Sequence, residues 1–118
     1  MQIILLRHGA TDWNLQGRCQ GVTDLDLNDT GLRQAAGAAA VLSGETIAAL
    51  YSSSLKRAVQ TAAIIGRAHN LAVVVEECLR ELDHGDLEGL TFAEIHAARP
   101  DFLREWRARP AEVLIPGG

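Results

Sequence analysis

The chain has only two cysteines, Cys19 and Cys78, which stand far apart and belong to no CxxC or Cys/His ligand pattern. That argues against a structural zinc site, and both side chains read as free thiols of a reducing compartment in preference to a disulfide. No apolar stretch approaches the roughly 18 residues of a membrane span. The opening Met1-Gln2-Ile3 lacks the basic residues that begin a secretory signal, so the expected location is cytoplasmic. Net positive charge is also missing. A formal charge of −4 argues against nucleic acid or an anionic membrane as partner, since both need a basic face that releases counterions. Lysine is nearly absent, with Lys56 alone beside ten arginines; guanidinium forks suit bidentate binding of phosphate or carboxylate better than ammonium groups do. Without repeats, low-complexity tracts or linkers, the 118 residues read as a single domain.

With 47% hydrophobic and 22% charged residues, a domain of this length buries roughly two-thirds of the surface its unfolded chain exposes, and folds without a metal or disulfide. Apolar runs suited to parallel strands alternate with segments of helical period. Residues 2–6, 47–51 and 71–75 are the strand candidates,. A helix is expected over 28–42, with Asn28 as cap and Leu32, Ala35, Ala36, Ala39 and Leu42 on one face,. Another runs from a cap at Ser53 or Ser54 to about His69, with Leu55, Ala58, Val59, Ala62, Ile65 and Ala68 inward,. After a glycine-spaced loop over 81–89, Thr91-Phe92-Ala93-Glu94 is a capping box opening a helix that ends before Pro100; 101–109 makes one more,. Strands separated by such helices form right-handed βαβ units, so the fold class is α/β with a mainly parallel sheet covered by helices. The final Ile115-Pro116-Gly117-Gly118 reads as a loop leading into another element.

Three segments carry chemistry, and the strand order places them at one edge of the sheet, where open α/β folds hold ligands. Arg7-His8-Gly9-x-Thr11-x-Trp13-Asn14 delivers a cation and an imidazole together, with Gly9 letting the backbone turn sharply,. Ser52-Ser53-Ser54-Leu55-Lys56-Arg57 leads into a helix, so Arg57 lies in its first turns beside amides that favour an anion,. Leu79-Arg80-Glu81-Leu82-x-x-Gly85 comes after the third strand and offers Glu81 as a proton donor or acceptor,. Singly, each has a plainer reading: a satisfied histidine, a helix-surface ion pair, a solvated carboxylate. An Arg-His pair, an arginine and a carboxylate after successive strands fit one phosphate site better than three accidents.

Together these segments resemble the histidine phosphatase superfamily, also called the phosphoglycerate mutase-like family. The motifs in order are Leu-Arg-His-Gly-x-Thr-x-Trp-Asn, Ser-x-Leu-x-Arg-Ala-x-x-Thr-Ala and Leu-x-Glu-x-x-x-Gly-x-x-Glu-Gly; Arg18, Gln20, Gly21 and Asp24-Leu25-x-Leu27-x-x-x-Gly31-x-x-Gln34-Ala35 also fit. The resemblance implies a three-layer sandwich and a phosphatase acting on a small organic phosphate. His8 would be the nucleophile, becoming a transient phosphohistidine, while Arg7 and Arg57 clamp the phosphoryl oxygens. Glu81 would protonate the departing alkoxide and then deprotonate water, and Asn14, Gln20 and Gly21 would line the phosphate end of the pocket. A neutral imidazole, unperturbed pKa about 6.5, suits this role near neutral pH, and no metal or organic cofactor is implied. His69, His84 and His96 occupy no motif position and are expected to be exposed, with His84 near enough to Glu81 to line the substrate mouth.

Within the superfamily, Ala10-Thr11 after Gly9 and Leu82-Asp83-His84 after Glu81 most resemble the broad-specificity and α-ribazole phosphatases. Family members continue past Pro-Gly-Gly to a further helix and a strand ending in a second pocket histidine, which these residues lack; the expectation is an incomplete, N-terminal part of the domain. If that histidine acts as one oxyanion donor, its loss lowers the rate by roughly 10²- to 10³-fold. An open sheet edge would favour a homodimer or pairing with another segment. Two alternatives therefore stand beside the phosphatase: mutase-type phosphoryl transfer, and a catalytically inactive phosphate-binding fragment.

Overall fold

A computed structural model describes all 118 residues. They gather into two compact units, Met1–Asp12 with Asp24–Arg80, and Trp13–Thr23 with Glu81–Gly118. The short helix α1 (Asp12–Leu15), which the sequence pattern does not signal, lies where the first passes into the second.

The first unit holds helix α2 (Asp29–Leu42), strand β1 (Leu50–Ser52), helix α3 (Lys56–His69) and strand β2 (Val73–Val75). Asn28 caps α2 as expected: its backbone is extended and its side chain accepts from the Gly31 N–H at 2.9 Å. Small residues Gly31, Ala35 and Ala39 form the buried row, four apart, that lets α2 approach α3,. The expected face was wider; Leu32 is 43% exposed and Ala36 is exposed, because they lie to one side of that row. The strands pair in parallel, Leu50 with Val73, Tyr51 with Val74 and Ser52 with Val75, and α3 packs on both.

Several expected boundaries move for identifiable reasons. Neither Ser53 nor Ser54 caps α3: Leu55 occupies the cap without a side-chain bond, and Asp24 Oδ1 instead accepts from the Lys56 N–H at 2.7 Å. The helix ends at Asn70 in the left-handed region, φ 56°, where asparagine is tolerated. The Leu71 N–H then donates back to the Gly66 carbonyl at 2.9 Å, so pairing begins at Val73 rather than Leu71. On α3, Ala62 and Ile65 are buried as expected, but Arg57 and Thr61 are buried too, while Ala68 is exposed.

Residues 2–6 depart furthest from expectation, since no strand forms there. A continuous apolar run specifies a strand covered on both faces, and a ladder also needs a neighbour to exchange hydrogen bonds. Neither condition is met among these residues, and Ile3, Leu5 and Leu6 are 72%, 90% and 51% exposed.

The second unit has its own core of Leu87, Ile95 and Phe102, with Cys19, Leu90, Leu103, Trp106, Val113 and Ile115 packed around it. Thr91 and Glu94 form the expected capping box at the start of α4 (Phe92–Ala98), and α5 (Phe102–Ala108) comes next. The loop over 81–89 contains a 3₁₀ turn, Gly85–Leu87. The segment ending at Gly118 is a loop as expected, tied down where the Asp86 N–H donates to the Pro116 carbonyl at 2.8 Å. No helix in the chain is long and apolar enough to cross a membrane.

Candidate functional site

In the first unit, the segment after residue 7 is fixed by helix groups. The Gly9 N–H donates to Thr61 Oγ1 at 3.0 Å, and that hydroxyl in turn donates to the Arg57 carbonyl at 2.8 Å. The Ala10 N–H donates to Gln34 Oε1 at 2.8 Å, and the Ala10 carbonyl accepts from the Asn28 N–H at 3.0 Å. Gly9 packs so closely on Gly31 that any Cβ there would collide with the Gly31 backbone. Thus α2 and α3 together hold the Gly9-Ala10 backbone that follows His8.

His8 is half-buried and its two ring nitrogens have different partners. Nδ1 lies 2.7 Å from the Gly9 carbonyl oxygen, which only accepts, so Nδ1 carries the proton. Nε2 lies 3.2 Å from the Nε–H of Arg57. A guanidinium only donates, so Nε2 presents a lone pair. These contacts select the neutral tautomer whose nucleophilic nitrogen faces a cation. Arg57 itself, near the start of α3, is only 2% exposed, whereas Arg7 is exposed. Of the residues singled out from sequence, the structure brings His8 and Arg57 into direct contact within this unit.

Asn14, Gln20, Gly21 and Glu81 belong to the second unit. Asn14 lies on α1, and its carbonyl accepts from Gly17 N–H at 3.2 Å. Gln20 and Gly21 are buried; a turn closes when the Thr23 N–H donates to the Gln20 carbonyl at 3.1 Å, with Gly21 at φ 54°. Glu81 is exposed, and its carboxylate accepts from the adjacent Leu82 N–H at 2.9 Å. His84 is half-buried rather than exposed: its Nδ1 is 3.1 Å from Cys19 Sγ and its ring meets Trp106 edge-on at 5.6 Å. His69 is likewise half-buried, although Arg67, Ala68 and Asn70 around it are exposed, while His96 is exposed as expected. Burial, then the charges of Glu88 and Glu81, push the Cys19 thiol up and keep it protonated,. No three His, Cys, Asp or Glu side chains converge as a metal would require.

Sequence reasoning missed the role of Glu88. Its Oε1 accepts from the N–H groups of Val22 at 2.8 Å and His84 at 3.1 Å. Its Oε2 accepts from the Thr23 N–H at 2.8 Å and from the Thr23 hydroxyl. Burial alone would raise its pKa, but the bonds from the Thr23 hydroxyl and the Val22, His84 and Thr23 amides outweigh it and hold the carboxyl below its ordinary range,. Thr61, Gln34 and Glu88 were visible only as motif letters; Thr61 alone left a signal, a polar residue within the inward-facing pattern of α3.

Residues 3–118 match the family described as histidine phosphatase superfamily (branch 1). Phosphoserine phosphatase 1 of Hydrogenobacter thermophilus is 40% identical over 118 residues, all of this chain and 56% of that protein. Among solved structures, a mycobacterial glucosyl-3-phosphoglycerate phosphatase in complex with VO3 aligns with a TM-score of 0.82 at 42% identity, covering 85% of this chain and 48% of that one. Entamoeba histolytica phosphoserine phosphatase with 3-phosphoglyceric acid aligns with a TM-score of 0.73 at 37% identity, covering 83% and 49%. The chain thus spans about half the length of the relatives it matches.

Proposed function

The chain belongs to the histidine phosphatase superfamily, and on that premise we propose that it serves hydrolysis of a small organic phosphate monoester through a phosphohistidine on His8. The observation that carries this reading is the His8–Arg57 contact, with the imidazole lone pair on Nε2 and a buried guanidinium against it. An incoming phosphoryl oxygen is a stronger acceptor for Arg57 than a neutral nitrogen is. As the guanidinium turns to the phosphate, Nε2 is released beside the phosphorus it attacks.

In this mechanism Arg7 and Arg57 neutralise charge on the phosphoryl oxygens, and Asn14, Gln20 and Gly21 line the phosphate end. Glu81 gives its proton to the leaving alkoxide and then takes one from the water that attacks the phosphohistidine. The proposed branch is that of the broad-specificity and α-ribazole phosphatases, supported by Ala10-Thr11 and Leu82-Asp83-His84. We take residues 1–118 as part of a single histidine phosphatase domain, in keeping with relatives about twice as long. The proposed compartment is the cytoplasm, which suits the two unpaired cysteines,. The exposed apolar run 3–6 supports pairing with a second copy or another segment,.

Hydrolysis of a panel of phosphomonoesters by the wild type and His8→Ala, with trapping of phosphoenzyme, tests this reading. The expected result is turnover lost in His8→Ala and an acid-labile, base-stable phosphoenzyme in the wild type alone. Undiminished hydrolysis by His8→Ala overturns the mechanism. A long-lived phosphoenzyme that water scarcely attacks points to the mutase, and phosphate binding without phosphoenzyme points to the inactive fragment.

A further inference from the structure

We infer that Glu88 is a positioning residue whose carboxylate ties the Gln20–Thr23 turn to the loop that carries Glu81, setting the spacing between the phosphate-binding and proton-transfer groups. The inference rests on the roles proposed above for Gln20, Gly21 and Glu81, and adds a residue that itself touches neither substrate nor reacting atoms.

An ionised carboxylate offers about four acceptor directions, and here four donors from two separate segments use them. Val22 N–H and both donors of Thr23 come from the turn, and His84 N–H comes from the loop just after Glu81. The turn itself is closed by the Thr23 N–H on the Gln20 carbonyl, so Gln20 and Gly21 move with the residues that Glu88 holds. Packing enforces the same juxtaposition. Gly21 has φ 54°, and a Cβ there would run into the Glu88 carboxylate and lie 2.9 Å from the His84 nitrogen. On the other side, Glu81 Oε1 accepts from Leu82 N–H, so the orientation of the proposed acid depends on the backbone that leads to His84.

Only a carboxylate completes this arrangement. A glutamine at 88 keeps one acceptor oxygen but turns an NH₂ toward donors on the other side. Glu88→Gln therefore breaks half of the clamp while nearly preserving shape, and Thr23→Val removes only the hydroxyl donor.

The test uses the 118-residue chain with two phosphate esters, 2,4-dinitrophenyl phosphate, whose leaving group needs no proton, and glycerol phosphate, whose alkoxide does. Glu81→Gln serves as the reference. If Glu88 aligns the acid, Glu88→Gln and Thr23→Val lower kcat for glycerol phosphate about tenfold more than for the aryl ester. Equal losses on both esters, with Glu81→Gln discriminating between them, overturn the inference. Glu81→Gln showing no discrimination overturns the reading of Glu81 instead, and the amides then decide the inference. Backbone resonances and hydrogen exchange are expected to change in Glu88→Gln at Val22, Thr23 and His84, and also at Gln20, Gly21 and Leu82. Changes confined to the three direct donors mean that the two loops are not coupled through Glu88, and the inference falls.

Discussion

Arg57 donates from Nε to Nε2 of His8 at 3.2 Å, while the Gly9 carbonyl takes the proton on Nδ1 at 2.7 Å. Both nitrogens are therefore committed, and the tautomer is a property of the fold. Replacing Arg57 by Met is expected to leave the ring without its Nε2 donor. The ¹⁵N shift of Nε2 should move as its donor is lost, while Nδ1, still facing the Gly9 carbonyl, keeps its proton,. Phosphomonoester turnover should fall by roughly 10²- to 10³-fold, as for loss of one charge-stabilising donor. A wild-type spectrum with protonated Nε2 contradicts the assignment.

Gly9 and Gly37 make opposite predictions for the same substitution. A methyl group at Gly9 strikes the Gly31 backbone, which has no side-chain freedom to yield; Gly9→Ala is expected to destabilise the protein by about 1–3 kcal/mol. Gly37 lies inside α2 with open space where its Cβ would be. Gly37→Ala should stabilise by about 0.5–1 kcal/mol through helix propensity. Urea unfolding of both variants checks the pair, and a neutral Gly9→Ala shows that the close approach is not required.

Glu88 makes stability depend on acid. Its carboxyl is held below the ordinary value of 4.5 in the folded chain, so the folded state binds its proton less readily than the unfolded state does. The stabilisation is fully present above the unfolded value and is lost as pH falls through the lower, folded value. Unfolding free energy measured from neutral pH downward should show the advantage of wild type over Glu88→Gln shrinking through that window. A difference independent of pH shows that the ionised form is not what the hydrogen bonds stabilise.

The elements legible in the sequence were those whose determinants are local. Asn28 caps α2 and Thr91 with Glu94 caps α4 because donor and acceptor lie within one turn. The start of α3 was misread because its amide is satisfied by Asp24, from another part of the chain. Residues 2–6 carry the composition of a strand, but composition cannot supply a neighbour, and no ladder forms. Arg57 was legible as a candidate because its motif placed it near a helix start. Thr61, one turn later on the same buried face, was hidden by the assumption that a buried face is apolar. Glu88 was harder still, since its partners Val22 and Thr23 are distant in sequence and become neighbours only through the fold.

The anchoring of Gly9 and Ala10 has a consequence for cooperativity. Their bonds go to Thr61 on α3, Gln34 on α2 and the Asn28 cap, and none of these three bonds involves residues 2–6. The apolar run can rearrange as a separate unit without breaking any of them. The chain thus divides its labour at Arg7: the exposed apolar residues before it lie outside this anchoring, while Gly9 and Ala10 beyond it answer to two helices.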